Sequence, residues 1–186
     1  MPQIHRFASV SSLMFVLALS ACEGKDQAGH APSGPQEAVI SDTSTERPIL
    51  RAAGFDPVSA VIKAGTSWEG KPLSDNTSFT GGEINLYRRA VLFPNGLITI
   101  DRTNNGDLYY ILVQSGIAER CGSTIEVARA FAQLSSALNL PPLSSDRAAR
   151  MQAALGAKDG WLELKAGNAQ VKAFGGCLPR VSIKAM

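Results

Sequence analysis

Three strand-like runs joined by two short turns constrain this chain more than any other feature. Residues 84–93 (INLYRRAVLF) are rich in aliphatic and aromatic side chains and run into Pro94-Asn95-Gly96. Residues 97–102 (LITIDR) alternate, with Leu97 and Thr99 on one face and Ile98 and Ile100 on the other. Asn104-Asn105-Gly106-Asp107 then returns the chain into residues 108–114 (LYYILVQ). An Asn-Gly pair favours a hairpin because both positions accept positive φ, so Asn95-Gly96 is the expected first turn. Two hairpins in succession give a three-stranded antiparallel meander.

The pattern then changes period. Ser123-Thr124-Ile125-Glu126 has the capping-box spacing, in which the serine oxygen accepts from the N3 amide and the glutamate reaches back. Val127, Phe131, Leu134 and Leu138 follow at helical spacing, so one stripe of this helix is buried. Pro141-Pro142 ends it near Asn139-Leu140, because a residue before proline is pushed out of the α region. A shorter helix follows Ser144-Ser145, with Ala148, Met151 and Leu155 inward and Gly156 or Gly160 closing it. Strand patterns return at 161–165, 169–174 and 181–185, with a turn at Gly167-Asn168. Residues 56–63 read as one more short helix. The order β-β-β-α-α-β-β-β predicts an α+β fold, an antiparallel sheet with two helices packed on it. The absence of β-α-β alternation argues against a doubly wound parallel sheet.

The amino-terminal end carries an address. Residues 1–6 contain Arg6 and His5 and no acid, residues 7–19 are apolar apart from Ser9, Ser11 and Ser12, and the run closes on Leu19-Ser20-Ala21-Cys22. A basic start, an apolar centre and a small-residue cut site make a secretory signal. The apolar run is shorter than the roughly 20 residues a membrane-spanning helix needs. The closing tetrapeptide resembles the lipobox of bacterial lipoprotein precursors. That resemblance covers about the first 22 residues and implies that the chain is cut before Cys22, whose thiol carries a diacylglycerol and whose new amino terminus is usually acylated. Two or three acyl chains anchor a protein stably, since each buried methylene adds about 0.8 kcal/mol. The implied location is the bacterial cell envelope, membrane-anchored and facing the periplasm. Glu23 in place of the aspartate that retains enteric lipoproteins at the inner membrane leans toward the outer one.

Residues 1–21 are thus the signal peptide. Residues 22–47 are dominated by Gly, Pro, Gln, Ser and Thr, with Val39-Ile40 their only aliphatic pair. Such a composition cannot offset its ordering entropy and reads as a flexible tether, about 25–30 Å from end to end as a coil. Residues 48–186 form one domain. With Cys22 acylated, Cys121 and Cys177 remain, and two cysteines in an exported domain are expected to pair. The bridge would pin the start of the capped helix to the C-terminal strands. Closing a loop of about 57 residues contributes roughly 4 kcal/mol in the chain-entropy model. No C-x-x-C spacing and no nearby histidine suggest a reactive thiol instead.

Charge and absences narrow the chemistry. The domain has 15 basic and 11 acidic side chains without the clustered Lys/Arg of a nucleic-acid surface, whereas the tether has five acids against two bases. Both histidines, His5 and His30, lie outside the domain. That leaves it no histidine base for a serine or cysteine nucleophile and no His/Cys zinc set. No phosphate-cradling glycine loop and no nucleophile motif is present. Neither a catalytic residue, a metal site nor a cofactor is expected. What remains is carboxylate chemistry: two acids from Glu69, Asp101, Asp107 and Glu163 within about 5–10 Å would suit glycan hydrolysis. Against it, Glu163 shares a strand face with Trp161 and Lys165, which suits a solvated face with a cross-strand ion pair.

A binding surface is the other possibility. Trp68 lies in a Gly/Ser/Asp-rich stretch, Tyr109 and Tyr110 point to opposite faces, Arg88 and Arg89 split likewise, and Arg102 sits near a strand end. Tyrosine, tryptophan and arginine dominate interface hot spots. The expectation is a lipid-anchored, non-enzymatic module that binds an envelope protein, as an inhibitor or as a scaffold. A cell-wall or lipid-binding module is the first alternative, for which Trp68, Tyr109 and Arg89 would share one groove. A carboxylate-dependent glycan hydrolase is the second.

Overall fold

A computed structural model describes residues 47–62, 68, 71–82 and 85–186. The signal peptide, Cys22, the tether up to Glu46, and Glu69 lie outside the described residues.

The meander forms and gains a strand at its outer side. Strands β1 (Ser74–Thr80), β2 (Leu86–Phe93), β3 (Gly96–Thr103) and β4 (Leu108–Ile117) pair antiparallel in sequence. The first turn closes one residue earlier than the Asn-Gly rule puts it. Phe93 pairs with Gly96, which leaves Pro94-Asn95 as the turn, and neither Asn95 nor Gly96 has a positive φ. Gly96 is needed for space: a Cβ there would lie 2.0 Å from Trp68 Nε1 and 2.5 Å from the Gln114 carbonyl oxygen. The second turn uses Gly106 at φ 82°, as expected.

After β4 comes the two-residue β5 (Arg120–Cys121), then α2 (Thr124–Ala137) and α3 (Ser145–Gly156). The chain closes with β6 (Trp161–Ala166), β7 (Ala169–Phe174) and β8 (Arg180–Ala185). Because β8 pairs with β4, the two halves fuse into one antiparallel sheet ordered β1-β2-β3-β4-β8-β7-β6, with β5 on β4. α2 covers β4 and β8, α3 covers β6 and β7, and the short α1 (Pro57–Ile62) packs against α2. The fold is α+β, in the order the sequence predicts.

The strand period sorts the side chains. Val91, Ile98, Val113, Val181 and Ala173 stand in one cross-strand row, and Ile100, Ile111, Ile183 and Val171 in the next. All are buried, facing Val127, Ala130, Phe131 and Leu134 of α2 and Met151 and Leu155 of α3. Each large aliphatic among them contributes about 1.5–3 kcal/mol by leaving water.

Caps fix the helices. Asp56 accepts from the Val58 and Ser59 amides ahead of Pro57, a residue suited to the first helical position. Ser123 caps α2 by accepting from the Glu126 amide, while the Ser123 amide donates to Ser115 Oγ, which in turn donates to Glu126 Oε2. At the other end, Asn139 takes φ 56°, and the amides of Asn139 and Leu140 reach the carbonyls of Ser136 and Ser135. Those two bonds are the Schellman pattern, with asparagine in the left-handed position. Cys121 and Cys177 are disulfide-bonded, and the Gly122 amide donates to the Cys177 carbonyl at 2.8 Å. The bridge thus holds the start of α2 to the loop between β7 and β8.

Candidate binding surface

The described helices cover one face of the sheet, and no helix among the described residues covers the other. Reading the register across it gives three rows. The first runs Leu92, Leu97, Gln114, Arg180, Phe174, Trp161. The second runs Ala90, Thr99, Leu112, Ser182, Lys172, Glu163, and the third Arg88, Asp101, Tyr110, Lys184, Gln170, Lys165. Half-buried Leu92, Leu97, Leu112 and Phe174 lie among long polar side chains that shield Thr99 and Ser182. Trp161, at the end of the first row, is 59% exposed. The Arg180 guanidinium stands 4.7 Å from the Phe174 ring centroid, close enough for a cation–π contact.

The charges on this face do not cancel. Asp101, buried, accepts two hydrogen bonds from Arg88 at 2.8 and 2.7 Å. Glu163 meets Lys172 at 3.2 Å, the cross-strand ion pair that its place on the strand suggests. Both acids are therefore neutralised, whereas Arg180, Lys184 and Lys165 have no carboxylate within ion-pair distance among the described residues. The result is an apolar and aromatic row beside surplus positive charge.

The six residues singled out from sequence divide. Arg88 and Tyr110 belong to the open face, one on either side of Asp101. Burial, against a hydrogen bond with Ser182, pushes the Tyr110 phenol above its usual pKa. Tyr109 falls at the register shift between β3 and β4, half-buried, with Lys184 Nζ 5.7 Å from its ring centroid. Arg89 and Arg102 belong to the other face. Arg89 pairs with Asp75 at 2.6 Å and Asp56 at 3.7 Å, and Arg102 donates to the carbonyls of Phe55 and Gly106. Both guanidiniums serve the fold.

Trp68 is a correction. Far from sitting on a surface loop, it is fully buried, its indole pressed on Gly96, with no hydrogen-bond partner for Nε1 among the described residues. Its apolar area outweighs that unpaired donor. Gly96 and Arg102 lie at opposite ends of β3, about 20 Å apart at strand rise, so Trp68 and Tyr109 do not share a groove. Trp161 and Phe174 are the aromatic side chains of the open face that sequence reasoning did not single out. Trp161 lay on the expected strand face with Glu163 and Lys165, but only the register across to Arg180 shows that these residues form a row.

Other concavities carry less chemistry. A groove of about 570 Å³ between α2 and α3 is lined mainly by apolar residues such as Phe131, Leu140, Leu143 and Met151, with Gln152 and two serines and no ionisable side chain. Asp101 and Glu163 stand four strands apart, roughly 19 Å at normal strand spacing, wider than either carboxylate geometry of glycoside hydrolysis. Asp107 accepts from the Ala53 amide, and no group of three or more potential metal ligands occurs among the described residues. No helix among them is long and apolar enough to cross a membrane. No family model matches the chain, and none of the curated proteins or solved structures matches it.

Proposed function

We propose that this chain is a bacterial envelope lipoprotein, anchored through Cys22, whose domain is a non-enzymatic module for binding another envelope protein. The observation that carries this reading is the open sheet face, where Trp161, Phe174, Arg180, Leu97 and Leu92 form one row beside uncompensated basic side chains. Tryptophan and arginine anchors in an apolar setting are what hot spots are made of, and the surplus charge favours an acidic partner. A face that no described helix covers, the separation of Asp101 from Glu163 and the disulfide-pinned frame suit a rigid binding platform, as inhibitor or scaffold. An oligosaccharide or headgroup site would need the aromatic residues gathered around a groove, and Trp68 is buried away from Tyr109.

The test is purification of the acylated protein from mildly cross-linked native membranes. The reading expects one stoichiometric envelope protein with an acidic surface. Recovery of glycan or lipid alone, or of nothing, would overturn it. The anchor is tested separately: Cys22→Ser removes labelling by a fatty-acid probe, and persistent labelling would contradict the lipobox assignment.

A further inference from the structure

β6 is an outer strand of the described sheet, and the register tells which of its main-chain groups do not pair with β7. The β6–β7 hairpin turns through Gly167 and Asn168, with Ala166 opposite Ala169 and φ 61° at Gly167. A two-residue turn with glycine at its first position is of the II′ kind. Its flanking pair exchanges both hydrogen bonds, so Ala166, Leu164 and Leu162 bond to β7. The Gly175 amide donates to the Gly160 carbonyl at 2.8 Å, which continues the same series. The N–H and C=O groups of Trp161, Glu163 and Lys165 therefore point away from β7, to the free edge. The Lys165 carbonyl agrees, since it accepts from Arg147 Nη1 of α3 at 3.3 Å.

Between α3 and this edge runs a groove of about 290 Å³ lined by Arg147, Arg150, Leu162, Glu163, Leu164 and Lys165. Its one acid is engaged sideways, by Lys172 at 3.2 Å and by Gln170. Arg147, Arg150 and Lys165 have no carboxylate within ion-pair distance among the described residues. Edges that must stay unpaired are blunted by bulges, prolines, charged side chains or a covering element. β6 carries the charges of Glu163 and Lys165 but has no bulge and no proline, and its register with β7 is unbroken from Trp161 to Ala166.

We infer that an extended, acidic segment of the partner adds to β6 as one more strand of the sheet. Its main chain pairs with Trp161, Glu163 and Lys165, and its carboxylates, on the helix side, meet Arg147 and Arg150. Strand addition takes its affinity from main-chain hydrogen bonds and its selectivity from alternate side chains. Here the selectivity is for negative charge. Arg147 leaves the Lys165 carbonyl, a long bond, for a carboxylate of the segment. Trp161 covers the segment's first residues from the open face. This inference rests on the protein-binding reading above and names the chemistry of the partner.

The test uses the full acylated chain in detergent micelles and two synthetic peptides, acetyl-(Glu-Val)3-amide and acetyl-(Lys-Val)3-amide. Amide hydrogen exchange is read residue by residue. The acidic peptide should slow exchange at Trp161, Glu163 and Lys165 at least tenfold, the basic one should leave it unchanged, and Arg150→Glu should cancel the effect. No slowing at these three amides, or equal slowing in Arg150→Glu, would overturn the site. Glu163→Pro removes an N–H that points away from β7 and that no acceptor among the described residues uses, so the edge should fold and fail to pair. An envelope protein captured equally by wild type and by Glu163→Pro would overturn the edge site while leaving the binding module standing. Capture lost in Glu163→Pro, at an unchanged unfolding midpoint, would support it.

Discussion

Single residues on this sheet work as pairs whose burial differs. Asp101 is 6% exposed at its side chain and Arg88 43%, so Arg88 is the more soluble half of a lopsided pair. Arg88→Ala leaves a buried carboxylate without its two charge-assisted bonds and should cost about 2 kcal/mol in urea unfolding. A change under a few tenths would mean that water replaces the guanidinium. Asp75 behaves differently because it is solvated. The hydrogen bond from Arg89, opposed by slight burial and helped by charge, holds it below its ordinary value of 3.8. Burial pushes Asp56 the other way, but the Ser59 hydroxyl and the Val58 and Ser59 amides outweigh it, so its shift is also downward. A depressed carboxylate adds stability above its unfolded pKa and loses it as pH falls through the folded value. The stability gap between wild type and Asp75→Asn should therefore hold at neutral pH and shrink as pH falls below 3.8. A gap constant down to about pH 2 would show that Asp75 is not coupled to folding. At this scale the sequence shows which residues carry charge but not where each one spends it. Arg89 and Arg102 read as surface arginines and are tied to Asp75, Asp56 and the Phe55 carbonyl across gaps in sequence that no local pattern reports. Trp68 misled for the same reason, since its polar neighbours describe the loop and not the Gly96 backbone on which the indole lies.

Elements were legible where a local signal and a tertiary need coincide. α2 has its serine cap and its apolar stripe within one window, and both are used; it ends on Asn139 in the left-handed position, just ahead of the Pro141-Pro142 pair from which the stop was read. The strands β2, β3, β4, β7 and β8 alternate because one of their faces meets helices. β1 was invisible because both of its faces are largely solvated and its residues, SDNTSFT, need no alternation. The pairing surface of β2 recruits it, which is a property of the neighbour. The Pro94-Asn95 turn was misplaced by one residue because Gly96 answers to Trp68 and not to backbone twist. The disulfide ties two such elements 56 residues apart. Replacing Cys121 and Cys177 together by alanine should lower stability by about 4 kcal/mol at most. The loss should appear first as faster hydrogen exchange over Gly122 to Glu126, where α2 begins. Unchanged exchange there would mean that Ser115 and the cap hold the helix start without the bridge.

At the scale of the whole domain, the two groups of strands meet through β4 and β8, so a single sheet has one face covered by helices and one that no described helix covers. That division sets what the protein can offer a partner. The covered face contains its helices, caps and core. The open face holds Trp161, Phe174 and Arg180 in a row assembled from three strands that only the fold brings into register. The sequence therefore disclosed the architecture more readily than the surface, because a core repeats every few residues and a cross-strand row does not. The most direct measurement is site-specific photo-cross-linking of the full chain in living cells, with a benzophenone side chain at position 174 and, as control, at exposed position 133 of α2. The account predicts one discrete protein adduct from position 174, lost when Arg180→Glu is added, and none from position 133. Equal adducts from both positions, or none from 174, would contradict it.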